Sequence, residues 1–227
     1  MKVGIVYTST TPELIELVEH ELTKNLGENA EYISFQDPSI LSEVCKNQYV
    51  TAAATARLIA LYTDAINAGA DVILNCCSSV GEVADCAQDM GRFTGIPIVR
   101  IDEEMCREAV RSGNKIGVMA TLSSTLEPTK NTILRVAREM NKQVELVDAL
   151  LEGAFGLSPD EFKQRMLDKA EEIKDQVDVI LFAQGSMAYC EEIIANTCKK
   201  TVVSSPRFGT AEVKKALAAK GLIRYNN

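Results

Sequence analysis

Four consecutive residues, Cys76-Cys77-Ser78-Ser79, concentrate the reactive side chains of this sequence. A thiol can accept a proton, donate one or attack an electrophile once its surroundings lower its pKa. The neighbouring hydroxyls can hydrogen-bond an anion. Comparable stretches recur at Thr8-Ser9-Thr10-Thr11, Thr121-Leu122-Ser123-Ser124-Thr125, Gln184-Gly185-Ser186 and Ser204-Ser205. Each follows a short apolar run. Hydroxyls and backbone N–H groups at helix N-termini receive anions without lysine or arginine. Any one of these residues could equally be an N-cap. Their recurrence at the ends of strand-like runs points to a site for a small carboxylate.

The apolar runs and the segments joining them set where these residues stand. Lys2 to Tyr7 reads as a buried strand. Thr11 as N-cap and Pro12 at the first helical position open a helix to about Leu26. Glu31 to Phe35 is the next strand, and Asp37-Pro38-Ser39 is a loop signal. An alanine-rich helix over Val50 to Ala68 stops at Gly69. Asp71-Val72-Ile73-Leu74 then runs as a buried strand into Asn75 and the two thiols. A helix over Val80 to Met90, a strand over Ile96 to Ile101 and a helix over Asp102 to Arg111 with Gly113 as its stop follow. After a strand at Lys115 to Thr121 come a helix over Glu127 to Asn141 and a strand over Gln143 to Val147. Ser158-Pro159-Asp160-Glu161 is a capping box opening a helix to about Gln176. Asp178 to Leu181 is a strand, a helix starts near Met187, and strand Thr201 to Val203 precedes a last helix over Thr210 to Ala219.

The second half of this series repeats the first. Lys115 to Thr121 echoes Lys2 to Thr8 at an offset of 113, and Asp178-Val179-Ile180-Leu181 repeats Asp71-Val72-Ile73-Leu74 at an offset of 107. Alternating strands and helices predict an α/β chain of two similar parallel-sheet αβα halves, flavodoxin-like or Rossmann-like, related by a pseudo-twofold duplication. The expected division is residues 1–100 plus 206–227 for the first half and 101–205 for the second, with the active site between them. The repeat aligns Cys77, six residues after Asp71, with Gln184, six residues after Asp178. A helix N-terminus would favour a thiolate at Cys77. A slip of one residue would exchange Cys77 for Cys76, so both are candidate catalytic thiols. Cys45, Cys86, Cys106 and Cys198 read as small core hydrophobes.

These features resemble the aspartate/glutamate/hydantoin racemase superfamily over nearly the whole chain. Members typically carry Cys-Asn-Thr after the first acid-led strand, where this sequence has Cys77-Ser78-Ser79. After the second they carry Cys-Thr-His, Cys-Thr-Glu or Cys-Ala-Gly, where this sequence has Gln184-Gly185-Ser186. The resemblance implies cofactor-free chemistry at the carbon next to a carboxylate, with two thiols on opposite faces as base and acid, and a homodimer. By position, Thr8, Ser79, Thr121 and Ser124 match hydroxyl-bearing substrate contacts of the family. The substrate-binding set extends to Tyr7, Ser9, Ser78, Gln184, Gly185 and Ser186. Tyr7 stands where glutamate racemases have an aspartate, and Ser186 where they have a histidine. Both departures count against a glutamate racemase. An amide at position 184 cannot carry a proton near neutral pH, which weakens two-base racemisation. Cys190 is the nearest substitute, about a turn into the next helix. Similar families show other uses of one thiol. Arylmalonate decarboxylases protonate a carbanion with it, and maleate isomerases use the first cysteine as nucleophile. A member that has lost catalysis would instead bind a small carboxylate.

Composition excludes several classes. With 227 residues, 46% of them hydrophobic, the chain can bury real cores, and no low-complexity tract indicates disorder. A net charge of −8 without a basic cluster removes the main driving force for nucleic-acid binding. No apolar run reaches the roughly 20 residues that span a bilayer, and no signal peptide is visible, which together indicate a cytoplasmic protein without membrane contact. Seven cysteines in no framework fit reduced thiols. His20, the one histidine, falls on a surface helix face and suits no catalytic role. No Cys-x-x-Cys or His/carboxylate pattern points to a metal, and no cofactor is expected.

Overall fold

The computed structural model describes residues 1–154 and 156–224. The chain divides into two compact units, Met1–Ile101 with the residues from Pro206 on, and Asp102–Ser205. The first unit contains β1 (Lys2–Tyr7), α1 (Pro12–Leu26), β2 (Glu31–Gln36), α2 (Pro38–Asn47), α3 (Ala52–Asn67), β3 (Val72–Asn75), α4 (Gly81–Cys86), α5 (Gln88–Thr94) and β4 (Ile98–Arg100). The second contains α6 (Glu103–Ser112), β5 (Lys115–Ala120), α7 (Ser123–Glu139), β6 (Glu145–Leu150), α8 (Pro159–Ile173), β7 (Val179–Phe182), α9 (Glu191–Cys198) and β8 (Thr201–Ser204). Helix α10 (Ser205–Ala219) returns the chain to the first unit.

Each unit holds a four-stranded parallel sheet, ordered β2-β1-β3-β4 in one and β6-β5-β7-β8 in the other. Burial on both faces explains why β3 and β7 are unbroken apolar runs up to their last residues. In the first unit, Leu58, Tyr62 and Ala65 of α3, with Ile40 and Val44 of α2, cover one face. Val18 and Leu22 of α1, with Val213 and Leu217 of α10, cover the other. In the second unit, Met166, Ala170 and Ile173 of α8 and Ile194 of α9 pack on Met119, Ile180 and Phe182. The echo of Lys2-Val3-Gly4 in Lys115-Ile116-Gly117 has a packing cause. A Cβ on Gly4 would stand 2.9 Å from Ala65 Cβ, and one on Gly117 would stand 2.8 Å from Ile173 Cδ1, so both glycines let a helix approach the sheet.

The repeated aspartates work at the opposite end of the strands from the thiols. Asp71 Oδ2 accepts from Lys2 N–H at 2.8 Å, and Asp178 Oδ2 accepts from Asn114 and Lys115 N–H at 2.9 Å each. They tie the start of β3 to β1 and of β7 to β5. The D-V-I-L motif is therefore a device for strand register as well as a core segment.

Several local expectations are corrected. Asp37-Pro38-Ser39 starts helix α2, because Asp37 accepts from Ser39 N–H at 2.9 Å and Pro38 takes the first helical position. The continuous helix expected over Val80 to Met90 is a 3₁₀ turn, Ser78–Val80, followed by α4 and α5, which break at Ala87. Helix α7 starts at Ser123, ahead of Glu127, and carries Pro128 inside, where the proline cannot donate the intrahelical bond to Ser124 C=O. Strand β6 is shifted to Glu145–Leu150, the segment after β7 is 3₁₀ from Gly185 to Cys190, and α10 begins at Ser205, ahead of Thr210. Cys86 is exposed and Cys45 half-buried, so neither is a core hydrophobe.

The Asp178 contacts predict a pH-dependent stability difference. The Lys115 and Asn114 N–H groups hold the Asp178 carboxyl below its usual range. A lowered folded pKa stabilises the fold above the unfolded value of about 3.9, and the effect fades as pH falls through the folded value. Asp178→Asn should therefore be less stable than the parent at pH 7, by urea unfolding. The gap should narrow as pH falls below the unfolded value of about 3.9 and close below the lower folded value.

Candidate functional site

In a parallel α/β sheet, ligands bind beyond the carboxyl ends of the strands where strand order reverses. In the first unit that point lies at the ends of β1 and β3, whose pairing runs from Val3↔Val72 to Val6↔Asn75. The bond from Cys76 N–H to Val6 C=O at 2.9 Å extends it. Tyr7 and Thr8 thus end beside Cys76 and Cys77. In the second unit the same point brings the end of β5, with Thr121, beside the end of β7, with Gln184, and Ala183 N–H bonds Met119 C=O at 2.9 Å.

Within the first unit the two thiols differ. Cys76 is buried in the core cluster with Val3, Leu74 and Tyr7. Burial first, and then the neighbouring Cys77, push its thiol well up, although the Tyr7 hydroxyl works the other way. Cys77 is half-buried and stands in extended backbone (φ −137°, ψ 114°) ahead of the 3₁₀ turn. Ser78 and Ser79 are buried in that turn. Ser9 is half-buried in the loop after β1. The Thr8 and Tyr7 hydroxyls are fully buried, and no protein group gives either a hydrogen bond of ordinary geometry. Burial, followed by the charge Cys76 would carry, drives the Tyr7 phenol upward, so it stays protonated. Buried polar groups left without partners cost about 1–3 kcal/mol each, and native folds tolerate few of them.

Residues with no sequence motif complete this layer. Asn75, fully buried at the end of β3, accepts from Tyr62 Oη at 2.9 Å and donates from Nδ2 to Cys77 C=O at 3.0 Å. Across the sheet it pairs in register with Arg100 of β4. The Arg100 side chain is 2% exposed and pairs with Asp85 at 2.6 Å. Gly81 lies against this guanidinium: a Cβ there would come 2.3 Å from Nη2. An asparagine and an arginine ending apolar strands were the available signals for this layer, and only placement in the fold gives them meaning.

The second unit is arranged differently. Gln184 Oε1 accepts from Thr121 N–H at 2.7 Å, and Thr121 Oγ1 lies 3.0 Å from Oε1 and 2.9 Å from Nε2. Amide and threonine satisfy each other. Ser124 is buried in the first turn of α7, Gly185 is half-buried and Ser186 exposed. Cys190 is fully buried in the core cluster with Met187 and Ile194, and burial raises its thiol. It is not placed to replace a thiol at position 184. His20 is exposed on α1. Among the described residues, no group of three His, Cys, Asp or Glu side chains is placed to hold a metal, and no helix is long and apolar enough to cross a membrane.

A sequence model of the Asp/Glu/hydantoin racemases matches residues 3–213. The chain belongs to the Asp/Glu/hydantoin racemase family. Solved structures share its fold. A glutamate racemase from Bacillus anthracis is similar with a TM-score of 0.70 at 14% identity, over 99% of this chain and 84% of that one. An allantoin racemase from Klebsiella pneumoniae gives 0.67 at 12% identity, over 99% and 90%. The aspartate racemase of Picrophilus torridus gives 0.65 at 14%, over 97% and 94%. No curated protein matches the chain. At these identities the racemase structures speak for the fold, and the site residues of this family member rest on its own geometry.

The packing of Arg100 on Gly81 yields a prediction. Alanine is normally better than glycine in a helix by about 1 kcal/mol. At position 81 its methyl would meet a guanidinium held in place by Asp85. Gly81→Ala should therefore destabilise the protein by about 1–3 kcal/mol in urea unfolding, as an overpacked core site does.

Proposed function

We propose that this family member is a cofactor-independent enzyme acting at the carbon next to the carboxylate of a small acid, with Cys77 as its single reactive thiol. The observation that supports this most is the contrast at equivalent strand ends. After β5, Thr121 is closed off by Gln184. After β1, the equivalent Thr8 keeps a buried hydroxyl without a protein partner, and β3 presents a thiol where β7 presents the amide. The first unit thus holds hydrogen-bonding capacity that a substrate could use, together with a group able to move a proton.

One thiol limits the chemistry. Two-base racemisation needs a proton carrier on each face of the carbon, and the Gln184 amide cannot be one. Cys77 as a thiol can give its proton to a carbanion on one face and regain one from solvent. As a thiolate it can remove a proton, or add to an electrophilic carbon and leave again. Thr8, Ser78 and Ser79 are the proposed carboxylate contacts in this unit, with Tyr7 and Ser9 beside them. Cys76, deep in the core, is proposed as structural. The closure of Thr121 by Gln184 also favours a second reading, a protein that binds a small carboxylate without converting it. A Cys77 thiol titrating near the ordinary value of about 8.5 would support that reading.

Turnover of a panel of small carboxylates by the parent, Cys77→Ser and Cys76→Ser separates these roles. Cys77→Ser should lose about 10²- to 10⁴-fold in rate, the range for a positioned acid or base. Cys76→Ser should keep most of its activity. An activity that survives in Cys77→Ser contradicts the proposal.

A further inference from the structure

The hydrogen bonds beneath Cys77 leave no freedom in their direction. The Cys77 carbonyl can only accept, so the Asn75 group facing it is the NH₂, at 3.0 Å. That turns Asn75 Oδ1 to Tyr62, whose hydroxyl must then donate, at 2.9 Å. The Tyr62–Asn75 bond is out of water, since both residues are fully buried. The second unit has no counterpart, for Phe182 ends β7 at the position equivalent to Asn75. The polar pair accompanies the thiol and is absent where the thiol is absent.

We propose that Tyr62 and Asn75 are positioning residues that fix the Cys77–Ser78 peptide plane and so set the reactivity of the Cys77 thiol. A planar trans peptide points its C=O and N–H in opposite directions. With the Cys77 carbonyl held toward Asn75, the Ser78 N–H points away from that buried layer. The same constraint fixes the backbone from which the Cys77 side chain departs. Burial, and then the charge Cys77 would carry, push the Tyr62 phenol upward, which keeps it protonated as the donor this arrangement needs. Tyr62→Phe removes one oxygen from a packed ring. It leaves Asn75 Oδ1 without its donor, so the amide that holds the Cys77 carbonyl is no longer fixed from its other side.

This inference rests on the reading of Cys77 as the reactive thiol, but its test needs no substrate. The rate of alkylation of Cys77 by iodoacetamide is measured against pH on the intact protein, with peptide mass spectrometry to assign the site. Exposed Cys86 serves as internal reference. In Tyr62→Phe the Cys77 rate at pH 7 should fall about fivefold, the scale of one lost hydrogen bond. Its pH midpoint should rise, while Cys86 is unchanged. The double variant Tyr62→Phe/Asn75→Leu removes the Tyr62–Asn75 bond and also the Asn75 bond to the Cys77 carbonyl, releasing the peptide plane fully. It too should show a slowed Cys77 with a raised midpoint, alongside a parent-like circular dichroism spectrum. A Cys77 rate and midpoint equal to the parent's in both variants overturns the inference. Activity retained by Cys77→Ser would instead overturn the functional reading, so the two failures are distinguishable.

Discussion

The pairing of β1 with β3 is the constraint on which the candidate site depends. Parallel register from Val3↔Val72 to Val6↔Asn75 brings both strands to an end together. Everything with chemical capacity in the first unit follows within a few residues of those ends. Tyr7 and Thr8 come from one strand, and Asn75, Cys76 and Cys77 from the other. The pairing is secured at its far end by Asp71, which accepts from Lys2 N–H, and along its length by apolar residues buried on both faces. A slip of one residue would send Asn75 and Cys77 to the opposite faces of the sheet, which is why register is held so firmly.

The duplicated sheet makes the second unit an internal control. Topology, strand order and the aspartate that pins the strand start are the same in both. The connecting helices differ in number, with α2 and α3 before β3 where α8 alone precedes β7, but the chemical contrast lies at the strand ends. One unit has an amide that satisfies a threonine above an apolar Phe182. The other has a thiol above a hydrogen-bonded Asn75, next to a threonine that no protein group satisfies. Shared scaffold with different strand ends is what a family that varies its chemistry on one fold would show. Burial also sorts the adjacent thiols, since pleat alternation sends Cys76 into the core and leaves Cys77 half-buried.

The alternation of apolar runs and helical segments made the fold class legible in the sequence. The two repeated motifs, Lys2-Val3-Gly4 and Asp71-Val72-Ile73-Leu74, made the duplication legible as well. Capping signals worked where they stood alone, as at Thr11 and Ser158. They misled where one residue pair serves two purposes: Asp37-Pro38 marks a turn and a helix start with equal ease. The candidate thiols were visible as residue types. The layer beneath them was not, because Tyr62, Asn75, Asp85 and Arg100 are brought together by sheet pairing and helix packing across up to 38 positions of sequence. The closure of Gln184 on Thr121, 63 residues apart, was hidden for the same reason.

The central claim is that one thiol handles the reacting carbon, from one face. Turnover of a panel of small carboxylates in deuterium oxide, followed by NMR with chiral analysis of the product, tests it most directly. The account predicts that wherever a proton is delivered to carbon, deuterium enters on a single face and the product has one handedness. Equal formation of both enantiomers, each deuterated at that carbon, would mean delivery from both faces and would contradict it.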